Sequence, residues 1–192
     1  MNKQVSWIVT FSILLASIGS ATMSFAAPAQ VVILRHGEKP DNGDDLNKRG
    51  YERANALPGL FETDPALTRY GAPVAIYAFG PTKKDRSFRA VETITPLANS
   101  LGIQVQDQFT VDELQPLVDS VMSNSDYDGK TVVICWEHDR IPPMVQTFGY
   151  NDAPTKWKKK VFDRLWILHF TGNKVTGFED LPQNLLPGDS QQ

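Results

Sequence analysis

The sequence predicts an α/β fold: a three-layer α/β/α sandwich with a mostly parallel sheet and a C-terminal antiparallel hairpin. Three observations carry that expectation. The apolar runs Val31 to Leu34, Val74 to Phe79 and Thr131 to Trp136 are too short for helices and suit strands buried on both faces. Between them, apolar residues recur at spacings of three and four, as in the helices of βαβ units. Near the C-terminus, Arg164 to Phe170 and Val175 to Phe178 flank Gly172-Asn173, which suits a hairpin turn. The first strand is expected near the middle of the sheet.

Taken in order, the first 26 residues read as a secretory signal. Lys3 supplies the positive end, Trp7 to Ile18 the apolar stretch, and Ser24-Phe25-Ala26 a small-x-small cleavage site. Cleavage is expected before Ala27, which predicts a periplasmic or secreted protein with no membrane span afterwards. The remainder fits one domain over 27–184, with a flexible tail from Leu185 to Gln192. The formal charge is −3, or −4 once Lys3 is removed. That mild acidity argues against nucleic acid as a partner. The single cysteine, Cys135, has no intramolecular disulfide partner and lies within an apolar run, so it reads as a packed core residue.

After the first strand, Arg35-His36-Gly37-Glu38 stands where open α/β sheets bind ligands, just past a strand's carboxyl end. Asp41 to Asn47 is a polar loop. Lys48 to Leu57 predicts a helix that Pro58-Gly59 ends, and its Gly50 and Ala54 would allow close approach to the sheet. Ser87 to Leu101 predicts an amphipathic helix stopped by Gly102, with Pro96 kinking or dividing it. A short strand is expected at Ile103 to Val105, and a helix capped by Asp112 reaching about Met122. Pro142-Pro143 suits the first turn of a helix through Phe148. His138 follows its strand much as His36 follows the first. His169, inside an apolar strand, reads as packed or at an edge, and Lys156 to Lys160 as a solvated basic face.

These residue types suit phosphoryl transfer. A phosphate monoester carries about two negative charges near neutral pH, so displacing its leaving group requires a nucleophile, cations around the oxygens and a proton for the departing group. A neutral His36 can supply the nucleophile. Arg35 and Arg89 offer planar forks for the oxygens, His138 a further donor, and Gly37 close backbone approach. Arg86, three residues before Arg89, could join them from one helical turn away. With three histidines and one cysteine in the chain, a zinc site has few ligands.

Leu34-Arg35-His36-Gly37-Glu38 resembles the signature of the histidine phosphatase superfamily, the phosphoglycerate mutase-like fold. The resemblance continues through Leu46, Gly50 and Ala54, then Arg89-Ala90-Val91-Glu92-Thr93, and ends at His138. It implies a phosphohistidine mechanism without a metal or other cofactor: His36 attacks phosphorus, Arg35, Arg89 and His138 bind the phosphoryl oxygens, and water releases inorganic phosphate. For the general acid it points two ways, to Glu113, which lies about where one branch places a glutamate, and to Asp139, since His138-Asp139 is similar to a dipeptide of the acid phosphatase branch. Glu137 and Glu38 are further carboxylates close to the pocket.

The short segment between Arg89 and His138 leaves little room for a mutase lid, and export also favours hydrolysis. The expected activity is therefore an exported phosphatase acting on a phosphorylated small molecule or envelope group. A phosphomutase and a non-catalytic binder of a phosphorylated ligand are the alternatives.

Overall fold

The computed structural model describes residues 27–83 and 86–190. The proposed signal segment, 1–26, lies outside the described residues. Strands β1 (Gln30–Arg35), β2 (Ala75–Ala78), β3 (Val105–Gln106), β4 (Thr131–Trp136), β5 (Arg164–Thr171) and β6 (Lys174–Pro182) form one sheet in the order β3-β2-β4-β1-β5-β6. The first four are parallel to one another; β5 runs antiparallel to β1, and β6 to β5. Every residue of β1 and β4 is buried, which is why their sequences are continuous apolar runs rather than alternating ones.

Helices α1 (Lys48–Thr63), α2 (Pro65–Thr68), α3 (Arg89–Leu101), α4 (Leu114–Ser123) and α5 (Ile141–Thr147) connect the strands. The chain first steps outward from β1 through β2 to β3, then returns to β4. Right-handed crossovers in opposite directions put their helices on opposite faces. Accordingly α1 packs on α3, and α4 on α5, which makes the three-layer sandwich. No helix among the described residues is long and apolar enough to cross a membrane.

Local physics moves several predicted boundaries. Helix α1 does not stop at Pro58 but runs through it to Thr63. The buried stripe Gly50, Arg53, Ala54, Leu57 and Phe61 continues past the proline, and burial of Phe61 outweighs one missing backbone donor. Pro96 likewise stays inside an undivided α3, which ends at Gly102 in the left-handed conformation (φ 67°) as expected. Asp112 does not cap α4; Glu113 occupies that position and makes no side-chain capping bond. His169 sits on β5 with its Nε2 2.6 Å from Glu179 Oε1 on β6.

The tail is not loose from Leu185, and the folded unit extends at least to Ser190. Asp189 is buried and accepts from Arg53 through both carboxylate oxygens, at 2.8 and 2.9 Å, and from the amides of Leu185 and Leu186 at 3.0 Å each. Arg53, buried on α1, also donates to Gln183 Oε1 (3.0 Å) and to both oxygens of Glu38 (2.7 and 3.0 Å). One guanidinium thus ties together the turn after β1, helix α1, the end of the sheet and the tail. Burial would raise the Asp189 carboxyl, but the Arg53 bonds and the Leu185 and Leu186 amides outweigh it and hold it down at about 2.

Breaking such a node strands buried charge. Arg53→Ala removes the buried partner that Glu38 and Asp189 share and leaves them only the more exposed Arg49, so urea denaturation is expected to show a loss of about 3 kcal/mol, the low end for a broken buried pair. A loss within the range of an exposed ion pair, about 1 kcal/mol or less, would mean that the tail is not held through Arg53.

Candidate active site

Strands β1 and β4 are parallel neighbours in register from Gln30↔Thr131 to Arg35↔Trp136. The His36 amide extends the ladder by donating to Trp136 O (3.1 Å). His36 and His138 therefore leave the sheet side by side at one edge, the expected ligand edge of an α/β sheet. Both are buried.

His36 Nδ1 lies 2.7 Å from Gly37 O. A carbonyl can only accept, so Nδ1 carries the proton and Nε2 keeps its lone pair. Burial lowers the His36 pKa to about 3; the Gly37 carbonyl opposes that shift, while Arg35, Arg89 and His138 add to it. All three cationic or ionisable candidates thus act on this ring, which stays neutral at physiological pH. Gly37 itself is held by its amide, which donates to Thr93 Oγ1 (2.8 Å), and Thr93 donates onward to Arg89 O (2.6 Å).

Glycine at 37 and 50 has a packing reason. A Cβ on Gly37 would stand 3.0 Å from the Gly50 backbone, and one on Gly50 only 2.2 Å from Glu38 O. Gly37 therefore serves first to let α1 close on the turn after β1.

Each arginine is fixed by one edge. Arg35 NH1 donates to Lys159 O (2.6 Å) and Val161 O (3.1 Å), and its Cζ lies 3.8 Å from the centre of the Phe162 ring. Its NH2 makes no hydrogen bond among the described residues. Burial lowers its pKa to about 10, against the raising effects of Glu137, Asp139 and Glu38, so it remains charged at neutral pH. Arg89, in the first turn of α3, donates from NH2 to Gly43 O and from Nε to Asp45 O (3.4 Å), gripping the polar loop before α1. Its NH1 is likewise unengaged among the described residues. Arg86 is exposed and precedes the helix, so it does not stand one helical turn from Arg89.

The carboxylates separate sharply. Glu38 is committed to Arg53 and Arg49: burial would raise it, but those cations hold it below the ordinary carboxylate range. Glu113 is exposed, and its Oε2 accepts from the Thr110 amide (2.7 Å) and hydroxyl (2.8 Å). Those bonds lower its pKa, the wrong direction for a group that must hold a proton. Glu137 is the hydrogen-bond partner of His138 Nδ1 and also accepts from the Asp139 amide (2.7 Å). Asp139 alone is open: its side chain is 73% exposed and its Oδ1 is 3.3 Å from His138 Nε2.

Glu137, His138 and Asp139 also form the one cluster of potential metal ligands found among the described residues, with ligand atoms within 4.8 Å of one another. They are consecutive residues around the second histidine, and His138 Nδ1 is already taken by Glu137. Cys135 is buried behind them, and burial pushes its thiol pKa up, the property of an inert packed cysteine.

Sequence reasoning missed Phe162, Thr93 and Arg53. Phe162 also meets the His36 ring edge-on, with centroids 6.0 Å apart. Thr93 belongs to the Arg89 to Thr93 segment that carries the resemblance; Phe162 and Arg53 carry no local signal.

No family model matches the sequence, and no curated protein matches it. Solved structures do share its fold. The tungstate complex of the protein histidine phosphatase SixA is similar with a TM-score of 0.58 at 10% identity, covering 80% of this chain and 97% of that one. A phosphoglycerate mutase from Bacillus anthracis gives 0.52 at 9% identity over 83% and 94%. A mycobacterial glucosyl-3-phosphoglycerate phosphatase gives 0.51 at 14% identity over 82% and 99%. The chain thus shares the fold of these phosphatases and mutases, the phosphoglycerate mutase-like fold that the sequence resemblance implies.

A depressed His36 pKa has a direct readout. Its ring resonances are expected to stay flat by NMR between pH 5 and 8, where a free imidazole inflects near 6.5. Because the unfolded chain protonates His36 first, the associated stability is full above about pH 6.5 and erodes as pH falls toward about 3. An inflection of His36 near 6.5 would contradict the burial argument.

Proposed function

We propose that this protein is an exported phosphatase that hydrolyses phosphate monoesters through a phosphohistidine on His36. The observation that carries the reading is a neutral imidazole, its free lone pair set on Nε2 by the Gly37 carbonyl, with Arg35, Arg89 and His138 around it. In the first step the Nε2 lone pair attacks phosphorus and the ester P–O bond breaks. The leaving oxygen takes a proton from an acid. In the second, water attacks phosphorus while the acid's conjugate base takes one of its protons back, the P–N bond breaks, inorganic phosphate leaves and His36 returns to its neutral form. The unengaged nitrogens of Arg35 and Arg89, with His138, stabilise charge on the phosphoryl oxygens.

The fold supports the reading, since proteins that share it include a protein histidine phosphatase, a mutase and a sugar-acid phosphatase by name. Tungstate in one of them is a tetrahedral oxyanion of the kind the cations would hold. Hydrolysis is favoured over mutase chemistry because the segment between Arg89 and His138 carries only β3, α4 and a 3₁₀ turn at Ser125–Tyr127. Asp139 is the better acid than Glu113, being open to solvent beside His138 while Glu113 is held ionised by Thr110. Arg35, Arg89 and His138 provide the charge a cation would otherwise supply, so the proposed reaction needs no metal. Export rests on the signal-like sequence before Ala27.

Purified protein is expected to hydrolyse an activated aryl phosphate in the presence of chelator, and His36→Ala to lose that turnover. Asp139→Asn should slow alkyl phosphates by about 10²- to 10⁴-fold, and aryl phosphates much less, because an aryl leaving group departs with little protonation. Equal turnover by wild type and His36→Ala would refute the nucleophile. No turnover by either would favour a binder of phosphorylated ligands.

A further inference from the structure

A cavity of about 770 Å³ adjoins the site at Arg35; neither Arg89 nor His138 lines it, and the phosphoryl chemistry does not account for it. Arg35 and Phe162 form its shared wall with the His36 centre, and Lys39, Arg49, Lys159 and Lys160 are among its other lining residues. Its size is that of a small-molecule site rather than of a phosphoryl group. Its charges divide into a matched set and an unmatched one. Arg49 and Arg53 are paired with Glu38 and Asp189, and Asp163 accepts from the backbone amide and hydroxyl of Ser190. The ammonium groups of Lys39, Lys159 and Lys160 form no ion pair among the described residues, and Asp41 is the one carboxylate on the wall with no such engagement.

The backbones that carry these lysines are fixed although their side chains reach into solvent. Lys159 O and Val161 O accept from Arg35, and Trp157 Nε1 donates to Val161 O (2.8 Å), so the phosphate arginine itself holds the strap bearing Lys159 and Lys160. Lys39 follows Glu38, which is locked to Arg53. Two cation-bearing segments are thus held at a set distance from His36 across one cavity. With six cationic side chains against four carboxylates the wall has a net positive charge, and a concave surface with such an excess concentrates anionic ligands.

We propose that this cavity receives a second anionic group of the substrate, so that the preferred substrate is a small soluble phosphate monoester bearing another phosphate or carboxylate. The inference rests on the phosphatase reading of His36 and adds the substrate class to it. Lys39, Lys159 and Lys160 bind the second group and set specificity without touching the transferred phosphoryl.

The test compares kcat/KM for glucose 1,6-bisphosphate and glucose 6-phosphate in wild type, in Lys39→Gln/Lys159→Gln/Lys160→Gln, and in Lys156→Gln/Lys158→Gln, whose lysines line a different surface. Wild type is expected to prefer the bisphosphate, the triple variant to lose about tenfold of that ratio, and the double variant to keep it. Hydrolysis by wild type with no preference, or with the same ratio in the triple variant, would overturn the second site while leaving the phosphatase reading intact. If no protein hydrolyses either ester, calorimetry with pyrophosphate and phosphate decides separately. Lysine-dependent preference for pyrophosphate would support the site although the phosphatase reading had failed, and lysine-independent binding would overturn both.

Discussion

The contact between helix α1 and the turn after β1 is the constraint from which the site follows. Gly50 admits the Glu38 carbonyl at a distance no side chain would permit, and Gly37 admits Gly50 in return. That approach brings Arg53 under Glu38, and Arg53 in turn reaches Asp189 and Gln183. It also leaves the Gly37 carbonyl facing Nδ1 of His36, which decides which ring nitrogen is basic. A packing contact made by the residue next to His36 therefore sets the protonation geometry of the proposed nucleophile.

The electrostatics are arranged in two tiers. Near His36, cations are left without carboxylate partners: Arg35 and Arg89 are held by backbone carbonyls, which fix a guanidinium without neutralising it. Below, Arg53 and Arg49 are neutralised by Glu38 and Asp189. The first tier can bind an anion and the second cannot. Stability and binding thus draw on the same residue type in the same neighbourhood, and the identity of the acceptor, carbonyl or carboxylate, separates the two roles.

Most of the sheet was legible because strands buried on both faces leave continuous apolar runs, and their order of appearance with intervening helices implies parallel pairing. His36, Arg35 and His138 were legible because they directly follow such runs. Helix α1 was cut short in the sequence reading because proline is a strong local stop signal, while the burial of Phe61 that overrides it is a tertiary fact. Asp189 was invisible for a similar reason: a polar residue beside Gly188 in a terminal segment looks solvated until Arg53 is seen beneath it. Glu113 lay at a plausible sequence position, yet its nearest partner proved to be Thr110, three residues away, and a local bond of that kind leaves no pattern that marks an acid as unavailable.

The proposed mechanism requires a covalent bond between phosphorus and His36 Nε2. The most direct measurement is mass spectrometry of the wild-type protein quenched into alkali, where phosphohistidine survives, within the first turnovers on an aryl phosphate. The account predicts one phosphoryl group, on His36, formed and lost at rates compatible with turnover. Turnover accompanied by a phosphoryl group on another side chain would contradict it.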